Sequence, residues 1–138
     1  KFLINLNQNN DLDTIIKYLS INYESFDKIN NQSAKETLEV LIDFLNIEND
    51  ARLKFSYINL SDERIMPTYF LIQDINFNIK NNNNLSSFIL ALISVNNRKW
   101  IELHPEHLNL ILNVINLYDN GSLKKQIIIE ILNELEIF

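Results

Sequence analysis

The chain has 138 residues, of which 46% are hydrophobic and 22% are charged, and 12 Lys and Arg against 18 Asp and Glu leave a formal net charge of −6. This composition is typical of a folded domain, and it excludes a disordered polypeptide, a membrane-spanning run of about 20 apolar residues and the clustered basic charge that nucleic-acid binding needs. Because the chain has no cysteine and only one glycine, disulfides, cysteine-ligated zinc, a thiol nucleophile and glycine-rich phosphate loops are excluded as well.

Two helices are predicted in the first third of the chain. Apolar residues recur at the spacing of one helical face from about 11 to 21, with Asp11 or Asp13 placed to cap the start. Ser33 and Glu36 form a Ser-x-x-Glu capping box, which predicts a second helix over about 34–47. The apolar stripes are Leu12, Ile15, Ile16 and Leu19 in the first helix, and Leu38, Leu41, Ile42 and Leu45 in the second.

The middle of the chain fits two structures. Residues 50–60 favour a helix, although the alternation of apolar residues from Leu53 also fits a strand. Residues 69–79 are divided between a helix that follows Pro67 and a strand with Ile75, Phe77 and Ile79 on one side. A small β-hairpin within residues 53–79 is therefore an alternative to helix in this segment.

The asparagine run 81–84 predicts a loop, and residues 85–95 predict a helix that is apolar on nearly every side. Such a pattern is typical of a helix that is surrounded by other elements. We therefore expect this helix to be the buried, central element of the domain.

The last third of the chain predicts a helical hairpin over 105–136. Pro105 suits the first residue of a helix over about 105–118, and His104 stands at its cap position. Gly121 suits a left-handed helix stop, and Ser122 can cap the helix that follows. Because the connection is short, the two helices should pack antiparallel.

Together these elements predict an all-α fold, either a bundle or a short stack of antiparallel helical hairpins. We expect one helical domain covering 1–138, excised or processed from a longer polypeptide because the chain starts at Lys1 rather than Met. No residue set recurs at the constant interval of known helical repeats, although a degenerate repeat piece stays open. The compartment is not indicated.

The segment His104-Pro105-Glu106-His107 is the strongest candidate for chemistry, because imidazoles and a carboxylate can bind zinc. The histidines stand three residues apart, which does not match the His-Glu-x-x-His helix of zinc proteases. We interpret His104 as a helix cap, Glu106 as a favourable charge at the helix start and His107 as an exposed residue. No catalytic, metal or cofactor residue is assigned.

Arg98, Lys99 and Trp100 form a candidate protein-contact site, because tryptophan and arginine are enriched at binding hot spots and Trp100 is the only tryptophan. The alternative interpretation places Trp100 in the core. Tyr23, Tyr57 and Tyr118 could extend a contact surface if they are exposed.

The sequence therefore predicts a soluble, non-catalytic module that binds another protein or assembles with copies of itself. Helices with apolar residues on two flanks suggest a surface left for a partner. The alternative is a small acidic inhibitor or immunity-type protein that covers a basic active site, on the strength of the −6 charge. A metal-dependent enzyme that uses His104 and His107 is the remaining alternative.

Overall fold

A computed structural model of the chain describes residues 11–47, 64, 66–119 and 121–135. Every regular element in this part of the chain is helical, so the all-α prediction is confirmed. Two short 3₁₀ helices, Tyr23–Lys28 and Trp100–Glu102, connect longer elements. The α-helices are α1 Leu12–Asn22, α2 Gln32–Phe44, α3 Tyr69–Lys80, α4 Asn84–Val95, α5 Pro105–Tyr118 and α6 Ser122–Glu134.

The strand alternative is wrong for the part of 53–79 that is described. Residues 69–80 form α3, in which Ile75 is buried and Phe77 is 64% exposed. Thr68 caps this helix, since its hydroxyl accepts a hydrogen bond from the Leu71 amide at 3.4 Å. The helix predicted over 50–60 lies outside the described residues.

The core is centred on α5, which packs against α2, α4 and α6. Its apolar stripe is buried as predicted, and α2 and α6 add their own stripes from either side. The expectation that residues 85–95 form the central helix is wrong, because α4 contributes only Ser87, Ala91 and Ser94 to the fully buried set. The buried stripe of α5 comprises Leu108, Ile111, Leu112, Val114 and Ile115.

The predicted start of α1 is confirmed, whereas the cap predicted for α2 is wrong. Asp11 Oδ1 accepts the Thr14 amide at 2.9 Å, and the Thr14 hydroxyl bonded to the same carboxylate lowers the pKa of Asp11. At α2, Asn31 is the cap, because its Oδ1 accepts the Ala34 amide at 3.2 Å. The capping box predicted from Ser33 and Glu36 does not form, because the Glu36 carboxylate contacts other side chains instead.

That glutamate, Glu36, is buried at 5% exposure, and its carboxylate is ion-paired with Arg64. Its other oxygen accepts a hydrogen bond from Gln32 Nε2 at 2.8 Å. The Arg64 pairing draws the side chain towards a distant part of the sequence and away from the backbone of its own helix start. The buried charge is compensated, which a buried carboxylate requires.

Asparagine, rather than glycine, provides the left-handed backbone at helix ends. Asn46, Asn82 and Asn96 have φ values of 53°, 57° and 51°, and they follow α2, α3 and α4. Asparagine tolerates this conformation better than other residues with a side chain. The predicted loop at the asparagine run is confirmed for 81–83, whereas Asn84 already belongs to α4.

The prediction for the start of α6 is wrong in detail. Gly121 has φ −109°, so it does not provide a left-handed stop, and Ser122 is the first helical residue rather than the cap. Asp119 takes that role, because its carboxylate accepts the amides of Gly121 at 2.7 Å and of Leu123 at 3.3 Å. A Cβ on Gly121 would lie 3.1 Å from Asp119 Oδ1, so a larger residue would require this carboxylate to shift by a few tenths of an ångström.

Candidate protein-contact site

Helix α4 packs its small side chains inward. Ser87 and Ala91 are completely buried and Ser94 is 6% exposed, and their spacing places them on one helical face. This face lies against the neighbouring helices, since α4 packs mainly against α3 and α5. Small residues allow the helix backbones to approach closely, so the large aliphatic side chains of α4 are left on its outer side.

The outer side of α4 is an exposed row of leucine and isoleucine. Their exposed fractions lie between 45% and 60%, far above those of core residues. The C-terminal end of α5 extends the same surface with a leucine and a tyrosine that are 48% and 42% exposed. We call this surface the apolar ridge, and it consists of Leu85, Ile89, Leu92 and Ile93 of α4 with Leu117 and Tyr118 of α5.

Two contacts hold the parts of the ridge together. The Tyr118 ring stacks on Phe88 with 4.2 Å between centroids and 4° between planes. Asn84 Nδ2 donates a hydrogen bond to the Leu117 carbonyl at 3.3 Å. An aromatic stack and a hydrogen bond to the backbone therefore bring Leu117 and Tyr118 beside the first turns of α4. Of the tyrosines predicted to extend a contact surface, Tyr118 belongs to the ridge, whereas Tyr57 and the Tyr23 side chain lie outside what the structure describes.

The ridge carries no charge. No residue of α4 is ionisable, and the only charged residues on the adjacent α3 are Asp74 and Lys80. Helix α3 carries further exposed aromatic side chains, with Tyr69, Phe70 and Phe77 all at least 64% exposed. Surface-exposed apolar groups of this extent are typical of interaction surfaces.

The two histidines have separate structural roles. His104 caps α5, because its Nδ1 accepts the Glu106 amide at 3.2 Å, and Pro105 is the first helical residue, as predicted. The expectation that His107 is exposed is wrong, since it is 1% exposed and its Nε2 lies 2.7 Å from Ser94 Oγ. This pair joins α4 to α5.

The hydrogen-bond pattern assigns the tautomer of His107. Ser94 Oγ donates to the Ala91 carbonyl at 2.5 Å, so the hydrogen between Ser94 and His107 belongs to the imidazole Nε2. His107 Nδ1 then has no hydrogen in the neutral ring, and it has no hydrogen-bond partner among the described residues. Burial is the largest of three causes, with the positive charges of Arg98 and His104, that together lower the pKa of His107 to about 4, so the ring is neutral at pH 7.

The candidate contact residues Arg98, Lys99 and Trp100 do not share one environment. Trp100 is 8% exposed and belongs to the core, as the alternative interpretation held, whereas Arg98 is half-buried and Lys99 is exposed. Lys99 lines an open groove of about 500 Å³ that also includes Ile101 and Glu134. The groove is shallow and mixed in polarity, and its Glu134 accepts the Ile101 amide at 3.3 Å.

The part of the chain that the structure describes contains no metal site and no membrane-spanning helix. No three His, Asp or Glu side chains within 11–47, 64, 66–119 and 121–135 converge as metal ligands would. None of the helices there is both long enough and apolar enough to cross a bilayer.

Sequence reasoning missed the ridge, although a signal was present. Ser87, Ala91 and Ser94 recur at the i, i+4, i+7 spacing, which marks a face of small residues and therefore a close helix contact. If that face is the inner one, the large residues of the same helix must point outward.

Comparison of the chain with known protein families, curated proteins and solved structures gives no match.

Proposed function

We propose that this chain is a non-catalytic module of helical hairpins that binds another protein or assembles with copies of itself through the apolar ridge. The observation that carries the proposal is the orientation of α4, which buries small residues and exposes Leu85, Ile89, Leu92 and Ile93. Removing apolar surface from water contributes roughly 25 cal/mol per Å², so covering these side chains is favourable.

The ridge suits protein contact better than the two other surfaces considered. The groove beside Lys99 is open and half polar, and Trp100 is largely withdrawn into the core. The histidine segment is occupied by structural hydrogen bonds, with His104 on a backbone amide and His107 on Ser94. Unlike the groove and the histidine segment, the ridge combines large exposed apolar side chains with a helical scaffold.

The test compares a ridge variant with a control of equal charge. The double variant Ile89→Glu, Leu92→Glu places two carboxylates on the ridge, whereas Gln126→Glu, Asn133→Glu places two on exposed positions of α6. We expect the ridge variant to lose self-association in light scattering, or to lose a protein captured by the immobilised chain, and the control to keep it. Circular dichroism should show equal helix content in both, since none of the four residues is buried.

A chain that stays monomeric at all concentrations and captures no protein in a ridge-dependent way overturns the proposal. The inhibitor alternative predicts a different result: association with a basic protein that weakens strongly with salt and is insensitive to the ridge variant.

A further inference from the structure

We propose that the occupant of the apolar ridge is the ridge of a second copy of this chain, in an isologous dimer that pairs α4 with α4. This inference rests on the proposed function, because it takes the ridge as a protein-contact surface, and it goes beyond that function by naming the partner. Three properties of the ridge support it: its spacing, its lack of charge and its area.

The spacing of the ridge is that of a helix-pairing seam. Leu85, Ile89 and Leu92 follow each other at intervals of four and three residues, which is the alternation that lines one side of a paired helix. In an antiparallel pair, Leu85 of one copy faces Leu92 of the other, and Ile89 lies close to the two-fold axis. The same surface thus serves both copies, as a two-fold interface requires.

The charge distribution favours a second copy over a charged partner or a lipid surface. A surface without charge has no feature that attracts a basic protein, and it brings no like charges together when it meets itself. Only the remainder of each chain, with its net charge of −6, produces repulsion. The same negative charge opposes binding to anionic membranes, which attract surfaces rich in Lys and Arg.

The area of the ridge is that of a weak dimer. Its six side chains, each about half exposed, offer on the order of 500 Å² per copy, or about 1,000 Å² in the dimer, at the areas usual for leucine, isoleucine and tyrosine. Specific interfaces begin near about 1,000 Å² in total, so we expect a dissociation constant in the micromolar range, on the order of 10 µM.

A cysteine placed at the two-fold axis tests the geometry directly, because the chain has no cysteine of its own. Ile89→Cys should form an intermolecular disulfide rapidly under mild oxidation, since Cα atoms near the axis come within about 7 Å of each other. Gln126→Cys, at an exposed position of α6, is the control and should cross-link only slowly through random encounters. Equal cross-linking rates for the two variants overturn the proposed arrangement.

Sedimentation equilibrium from about 1 to 300 µM tests the association itself. We expect wild type to pass from monomer to dimer, Ile89→Glu to weaken the dimer at least 10-fold and Gln126→Glu to leave it unchanged. Raising NaCl from about 50 to 500 mM should tighten the dimer, because salt screens the repulsion between two acidic chains.

The possible outcomes separate this inference from the proposed function. A monomer that nevertheless captures another protein in a ridge-dependent way overturns the second copy as occupant and leaves the proposed function standing. A dimer unaffected by Ile89→Glu overturns the ridge as its interface. A monomer that captures nothing through the ridge overturns both.

Discussion

The buried imidazole of His107 makes stability depend on pH in a defined direction. Its pKa is about 4 in the folded chain and about 6.5 in an unfolded one, so between these values the unfolded chain binds more protons. Stability contributed by the neutral ring is therefore fully present above pH 6.5, and it is lost as the pH falls towards 4. We expect a loss on the order of 3 kcal/mol from this group, measured by urea unfolding at a series of pH values.

The variant His107→Gln isolates this contribution, because the amide can still donate to Ser94 but does not titrate. Its stability should change less than that of wild type between pH 6.5 and 4. His104→Ala, which removes a helix cap, should lower stability near pH 7 without removing the slope. If wild type and His107→Gln show the same pH dependence, His107 does not titrate as described.

The cap of α2 allows a second test at the residue scale. Asn31 accepts the Ala34 amide, whereas Ser33 lies within the first turn. We expect Asn31→Ala to cost about 1 kcal/mol in the free energy of unfolding and Ser33→Ala to cost almost nothing. If Ser33→Ala costs more than Asn31→Ala in thermal or urea unfolding, Ser33 is the cap after all, as the capping-box prediction held.

Some helix caps were predictable from the local sequence. The pair of His104 with Pro105 was identified correctly, and at α1 the sequence left Asp11 and Asp13, of which Asp11 is the cap. At α2 two good capping residues stand two positions apart, and the choice depends on the ion pair of Glu36 with Arg64, 28 residues away. A contact of that sequence separation leaves no trace in local spacing.

At the scale of the element, α4 is specified by the size of its inner side chains. Ala91 has no exposed surface, and larger residues at this position must displace the helices that pack against α4. We expect Ala91→Leu to destabilise the fold by about 1 to 3 kcal/mol through overpacking.

Ser86→Leu is the matched control for Ala91→Leu, since it adds comparable bulk on an exposed position of the same helix. Its unfolding free energy should stay within about 0.5 kcal/mol of wild type. Equal costs for the two variants, measured by urea unfolding, would contradict the assignment of the inner face.

The location of 85–95 as a helix was predictable, but its place in the fold was not. A helix with leucine and isoleucine on most sides resembles a buried element when only hydrophobicity is counted. Which side faces inward depends on packing, and here the choice is made by small residues and by the bond of Ser94 to His107. Both features depend on where α5 lies, and that position cannot be inferred from the sequence of α4.

For the whole molecule, periodicity was sufficient to predict the class of fold and most helix positions. Residues 105–118 were predicted with the bounds that the structure shows, because Pro105, the apolar stripe and the following turn agree. Residues 69–80 were ambiguous because Ile75, Phe77 and Ile79 alternate, although only Ile75 is buried. Half-exposed helices carry weaker periodic patterns, so α3 was harder to predict than the buried α5.

The buried side chains are small in α4 and large in α5, and this difference predicts which of the two helices unfolds locally first. Buried leucine, isoleucine and valine hold α5 in place, whereas α4 is held through two serines, an alanine and a few half-buried neighbours. Segments with less apolar burial unfold locally at lower free energy. In dilute solution, native-state hydrogen exchange should therefore show the backbone amides of α4 losing protection before those of α5. Uniform protection across both helices would contradict this order of local unfolding.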